Sequence, residues 1–164
     1  MSELILLTDG SVNTQSKVGY GAYLVLTEEG LALEEIKARV QVRRFAQTSS
    51  TRLELQTLLW ALADIQALGR RVTVYTDSQN IVGLSGRRQR LEQNDYRSGN
   101  GRRLNNYGLY QQFYTLTDQL DCQFFKVRGH QVAQHKDEID RLFTLVDRAS
   151  RRALREDKSS RIQE

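Results

Sequence analysis

The chain of 164 residues contains no proline, one cysteine (Cys122), one methionine, one tryptophan and two histidines. A single thiol forms no internal disulfide, and with two histidines it cannot complete a cysteine-based zinc centre, so any metal chemistry must use oxygen ligands. No apolar run approaches the roughly 18 residues expected of a membrane helix. The first residues, Met1 to Leu7, pass from an acidic lead-in straight into Thr8-Asp9-Gly10 without the anatomy of a signal peptide, so a cytoplasmic protein is expected. Internal repeats are absent too, which leaves one compact domain over residues 1–156 and a flexible polar tail over 157–164.

What is present is 39% hydrophobic and 27% charged, with a net charge of +4. Six arginines (87, 88, 90, 97, 102 and 103) crowd one segment against only Glu92 and Asp95, a pattern that favours a polyanionic partner.

Hydrophobic periodicity places the elements. Leu4 to Thr8 reads as a buried strand ended by the turn signal Asp9-Gly10-Ser11, Val18 to Thr27 as a second strand, and Leu31 to about Val42 as a third. From Arg52 the period changes: Leu55, Leu58, Leu59, Leu62 and Ile65 mark an amphipathic helix that Gly69 stops. Val72 to Thr76 is a strand, Ser78 to about Leu84 a short helix, Ser98 to Gly101 a loop, Asn105 to Leu120 a helix and Gln123 to Arg128 a fifth strand. A last helix runs from about Lys136 to Arg155. The expected fold is α/β, a five-stranded mixed sheet flanked by helices.

Three acids stand where elements meet, and each has a structural explanation. Asp9 precedes a glycine at a turn, Glu54 follows Thr51 at capping-box spacing, and Asp77 stands where it can cap the short helix. Topology argues for more. Strands one and four are expected side by side, and ligands in such sheets bind beyond the carboxyl ends of the parallel strands where strand order reverses.

Five motifs in register, Thr8-Asp9-Gly10-Ser11, Gly19-Tyr20-Gly21-Ala22, Thr51-Arg52-Leu53-Glu54-Leu55, Thr76-Asp77-Ser78-Gln79 and Val127-Arg128-Gly129-His130, resemble ribonuclease H of the type 1 family across nearly the whole chain. The resemblance implies strands one to three antiparallel, with four and five parallel to strand one. It implies a Mg²⁺-dependent endonuclease, with two ions and Mn²⁺ as a plausible substitute, that cuts the RNA strand of an RNA–DNA hybrid and works as a monomer. The corresponding metal-binding acids are Asp9, Glu54 and Asp77, and His130 matches a histidine that assists proton transfer or product release. For the fourth acid two positions compete. Asp140 keeps the usual separation from His130, whereas Asp147 precedes the small-residue helix face of Ala149, Ser150 and Ala153 and is favoured, at the expense of a seven-residue insertion. They lie about 10 Å apart along a helix, so they cannot both serve one compact site.

Gly10, Ser11, Ser50, Thr51 and Gln79 match substrate-contacting positions, although Ser50-Thr51 replaces a pair of asparagines, and the arginine segment beginning at Arg87 and Arg88 corresponds to a basic protrusion that grips DNA. Trp60, inside the first long helix, is expected to pack. The rival readings are a hybrid- or double-stranded-RNA-binding module without turnover, and a nuclease of the same fold with another substrate.

Overall fold

The computed structural model describes residues 3–27, 33–65, 70–127 and 138–157. Five strands, β1 (Glu3–Asn13), β2 (Val18–Leu26), β3 (Gln41–Phe45), β4 (Arg71–Thr76) and β5 (Asp121–Lys126), form one sheet in the order β3-β2-β1-β4-β5. β1 pairs antiparallel with β2 and β2 antiparallel with β3, while β4 runs parallel to both β1 and β5. The expected mixed sheet is therefore present, with β1 and β4 adjacent.

Helices cover both faces. On one lie α2 (Ser50–Asp64), α3 (Gln79–Val82), α4 (Leu84–Gln93) and α5 (Tyr107–Asp118), and on the other α6 (Glu138–Glu156), while α1 (Leu33–Arg39) precedes β3. Strand alternation divides the core. Leu4, Leu6, Val72 and Val74 pack beneath Leu55, Leu58 and Leu62 of α2 and Phe113 of α5. Leu7, Ala22 and Leu24 meet Leu142, Phe143 and Val146 of α6. Trp60 packs edge-on against Tyr23 with centroids 4.7 Å apart, as expected of a structural tryptophan.

Several boundaries differ from the sequence reading. β1 does not end at Asp9 but runs on to Asn13, pairing Asp9 with Ala22, because the Asn13 side chain accepts from the amides of Gln15 and Ser16 and makes the turn there. The third strand starts at Gln41 rather than Leu31. Leu33-Glu-Glu-Ile-Lys-Ala-Arg is a run of helix formers whose Ile36, with Val40 just beyond, packs on the α6 side of the core, and it makes α1 instead. The region after Asp77 holds two helices, α4 running through Arg87, Arg88 and Arg90, where Arg88 pairs with Glu92 at i,i+4. Asp157, placed by sequence in a flexible tail, is held by Tyr20 Oη at 2.6 Å and Arg44 Nε at 2.9 Å; residues 158–164 lie outside the described residues.

Candidate active site

The site is built where four elements converge, partway along β1 and just beyond the last residue of β4. Asp9 shares its side of β1 with Leu7 and Ser11, the side that faces α6. Its carboxyl is hydrogen-bonded to that of Asp147 on α6. Asp77 follows the last residue of β4, and Glu54 comes from the second turn of α2 on the opposite face, its Oε2 accepting from Ser78 Oγ at 2.6 Å.

Local packing brings Glu54 there. A Cβ placed on Gly10 or Gly19 would lie 2.8 Å from Leu53 Cδ2, and one on Gly21 would lie 2.1 Å from Thr57 Oγ1. The glycines let the first turns of α2 settle against β1 and β2, so Glu54 reaches over the sheet edge toward Asp77. This close approach is the physical content of the Gly19-Tyr20-Gly21 motif.

Electrostatics mark the acids as a group. Burial, the hydrogen bond with Asp147 and then the charge of Asp77 push the Asp9 carboxyl from 3.8 up to about 8. Burial also raises Glu54, against the lowering hydrogen bond from Ser78, with Asp77 adding repulsion. Asp77 is raised by burial and then by Asp147, with Lys126 and Arg151 opposing, but it lies at the exposed rim, so water screens its shift and it carries less weight than Asp9. Carboxylates gathered this way repel one another until a proton or a cation intervenes.

The donor set fits a hard divalent cation: all its atoms are oxygens and its charge is negative. Among the described residues no three acid, histidine or cysteine side chains stand as a ready-formed ligand cluster. Glu54 is held by Ser78, Asp9 and Asp147 share a hydrogen bond, and Asp147 Oδ1 accepts from Arg151 Nε at 2.9 Å.

It is Asp147, then, and not Asp140, that meets Asp9. Asp140 is buried two turns earlier in α6, its carbonyl accepting from Thr144 Oγ1 at 2.9 Å. Neither proposed cap is made by an acid: Ser49 caps α2 by accepting from Arg52 N, and Ser78 caps α3 by accepting from Ile81 N at 3.1 Å. Both Glu54 and Asp77 are thereby left for other work. His130 lies outside the described residues.

Ser50, Thr51 and Gln79 are exposed on the first turns of α2 and α3, beside the acids. Gly10 lies under Leu53, and the Ser11 hydroxyl shares a 3.1 Å hydrogen bond with Ser150 rather than facing solvent. Arg87 and Arg88 have partners within the fold: Arg87 donates to the Asn80 carbonyl at 2.9 Å, and Arg88 forks onto Asp118 and lies over the Tyr114 ring. Arg97 and Arg103 both pair with Asp95. Three of the six arginines of the segment, Arg88, Arg97 and Arg103, are therefore paired with carboxylates of the same chain.

Sequence reasoning missed three supports. Ser78, Arg151 and Ser150 hold Glu54, Asp147 and the β1–α6 contact respectively. Arg151, four residues after Asp147, left a readable signal, and so did Ser150 as part of the small-residue face, but the contacts that the three residues make were not foreseen.

Comparison with known proteins agrees with the geometry. The chain is 24% identical over 144 residues to a ribonuclease H of Neorickettsia sennetsu, covering 87% of this chain and 91% of that protein. It is 27% identical over 143 residues to one of Chlorobium phaeobacteroides, covering 85% and 92%. The PFV RNase H domain superposes with a TM-score of 0.73 at 16% identity, covering 92% of this chain and 93% of that one. LC11-RNase H1, solved in complex with an RNA/DNA hybrid, does so with a TM-score of 0.58 at 19% identity, covering 92% and 99%. At such identities the structures speak to fold alone. The RNase H family model matches residues 1–147, a span that takes in Asp9, Glu54, Asp77 and Asp147, and the chain belongs to the RNase H family.

Proposed function

We propose that this protein is a divalent-metal-dependent endonuclease that hydrolyses the RNA strand of RNA–DNA hybrids, leaving 5′-phosphate and 3′-hydroxyl ends. The observation that carries the reading is the convergence of Asp9, Asp77, Asp147 and Glu54 from four elements, partway along β1 and just beyond β4, with Asp9 held neutral up to about pH 8 by burial and its acidic neighbours. A relative of the same fold has been solved with an RNA/DNA hybrid, which supports the substrate class.

Asp9, Glu54, Asp77 and Asp147 would hold the metal, Asp9 and Asp147 from the α6 face and Glu54 from the α2 face. Two Mg²⁺ ions, with Mn²⁺ as a substitute, would supply charge stabilisation of the attacking and leaving oxygens of an in-line displacement. The protein's own groups do the rest. Ser78 orients Glu54, Arg151 holds Asp147 and limits its repulsion of Asp77, and His130 is assigned proton transfer or product release. Ser50, Thr51 and Gln79 present small polar groups suited to the 2′-hydroxyl and phosphates that distinguish RNA.

The test is cleavage of labelled hybrid, duplex RNA and duplex DNA, with Mg²⁺, with Mn²⁺ and in EDTA. Hybrid cut only with metal, and not at all by Asp9→Asn, is expected. Cleavage that survives either EDTA or that substitution would overturn the reading.

A further inference from the structure

We infer that the outer face of α6 is a second nucleic-acid-binding surface, a line of guanidinium groups that holds the phosphate backbone of a duplex engaged at the neighbouring acidic site. Arg141, Arg148, Arg152 and Arg155 are all exposed and stand at i, i+7, i+11 and i+14. At about 100° per residue these offsets bring all four within about 60° of one another around the helix, and the rise of ~1.5 Å per residue spreads them over about 21 Å. This is a straight cationic track. The core-facing residues Leu142, Val146 and Ser150 lie on the other side of the helix, and Asp147 borders the track directly before Arg148.

Compensation along the track is thin. Among the described residues neither Arg141 nor Arg148 makes an ion pair. Arg152 pairs with Glu156, but the two side chains are 75% and 66% exposed, so the pair is worth little and a phosphate can replace its acid. A shallow groove of about 430 Å³ between α6 and the α1–β3 region brings Lys37 alongside Arg148 and Arg152, with Glu156 the only acid in its lining among the described residues. That lining holds aliphatic groups such as Val42 and Leu145 but no aromatic ring. Without a stacking platform, phosphates rather than bases are what this surface can hold.

The contrast with the 87–103 segment sharpens the assignment. There, Arg88, Arg97 and Arg103 already have carboxylate partners in Asp118 and Asp95. On α6, Arg141 and Arg148 have no ion pair among the described residues and Arg148 follows Asp147 in the chain, so a duplex seated over Asp147 would meet two cations that need not first give up a carboxylate.

The inference rests on the reading of the substrate as a nucleic-acid duplex, and its test is kept apart from cleavage. Fluorescence anisotropy of a labelled RNA–DNA hybrid in EDTA, titrated at several salt concentrations, compares the wild type with Arg141→Gln/Arg148→Gln. Each lost phosphate contact lowers the slope of log K against log salt by about 0.9, so a decrease of about 1.8 and a weakening of about tenfold or more at 0.1 M salt are expected. Arg148→Glu, a single exposed change, gives a second reading if the double variant melts early, and it should weaken binding as well. Slopes and affinities equal to the wild type in both variants would overturn the proposal and leave α6 as a surface for an acidic protein or for water. Failure of the nuclease reading looks different: hybrid is then bound in a track-dependent way but not cut when metal is added.

Discussion

The two faces of the sheet solve opposite problems with similar materials. On the α2 side, leucines, valines and Phe113 close over the strands, and three glycines let the helix approach so nearly that a methyl group has no room. On the α6 side, an apolar layer of Leu7, Leu24, Phe143 and Val146 gives way at one end to Asp9, Ser11, Ser150 and Asp147. The first face stabilises the fold. The second gives up packing to hold like charges together, so filling space on the first is expected to destabilise the protein and removing a charge on the second to stabilise it.

The largest effect should come from Asp9→Asn, which abolishes hybrid cleavage and yet stabilises the protein. A half-buried Asp9 with a pKa of about 8 against 3.8 unfolded favours the neutral form in the fold. Its contribution is therefore fully present below about pH 4 and is lost as pH rises through 8. Asparagine is neutral throughout, so thermal melts of wild type and variant should coincide near pH 4 and separate by about 1–3 kcal/mol, several degrees in Tm, by pH 8. Added Mg²⁺ should narrow that gap by stabilising the wild type alone. A variant that melts below the wild type at pH 8 would contradict the view of this face as electrostatically strained.

Within the same face, Asp147→Asn and Asp140→Asn separate the two candidate acids. Asp147 touches Asp9 and repels Asp77, whereas Asp140 is buried two turns away. Loss of a charge that contacts the reacting groups is expected to lower kcat by about 100-fold or more, on the scale of removing one electrostatic stabiliser, and Asp140→Asn should retain activity within a few-fold. Equal losses would remove the assignment.

On the packing face the sign reverses. Gly21→Ala drives a methyl group into Thr57, a clash that should cost about 2–3 kcal/mol in urea denaturation. Thr57→Ala in the same chain makes room, so the double variant should recover much of the loss. Additive losses would show that the close approach at Gly21 is not what constrains α2.

This contrast also explains what the sequence disclosed. Strand order and the nearness of Asp9, Glu54 and Asp77 were readable because period-two and period-3.6 patterns are local and topology then has few solutions. The choice of Asp147 drew on small residues facing the sheet, and Ser150, fully buried against Ser11, is the physical reason that face is small. The pairing of the arginine segment was not readable because a cluster of cations shows nothing about partners distant in the chain: Asp118, thirty residues away, pairs with Arg88. Similarly, Asp9-Gly10 looks like a turn by composition, but pairing with Ala22 and Gly21 keeps it in the strand, and that is a tertiary choice.

The smallest effect sharpens the comparison most. Each face has one polar group at odds with its surroundings: on the α6 side it is Asp9, and on the α2 side it is Thr57, whose buried hydroxyl has no hydrogen-bond partner among the described residues. Thr57→Val keeps the shape and removes the unmet hydroxyl, so it should stabilise by about 0.5–1 kcal/mol. Both Asp9→Asn and Thr57→Val are then expected to raise the melting temperature, but only the first should cost activity, because Thr57 lies on the buried face of α2 against Gly21. Hybrid cleavage by Thr57→Val measured beside its urea denaturation decides the point. Stabilisation with full activity would show that unfavourable polar burial is incidental on one face and functional on the other, and a large loss of activity would mean that the α2 packing itself tunes the position of Glu54.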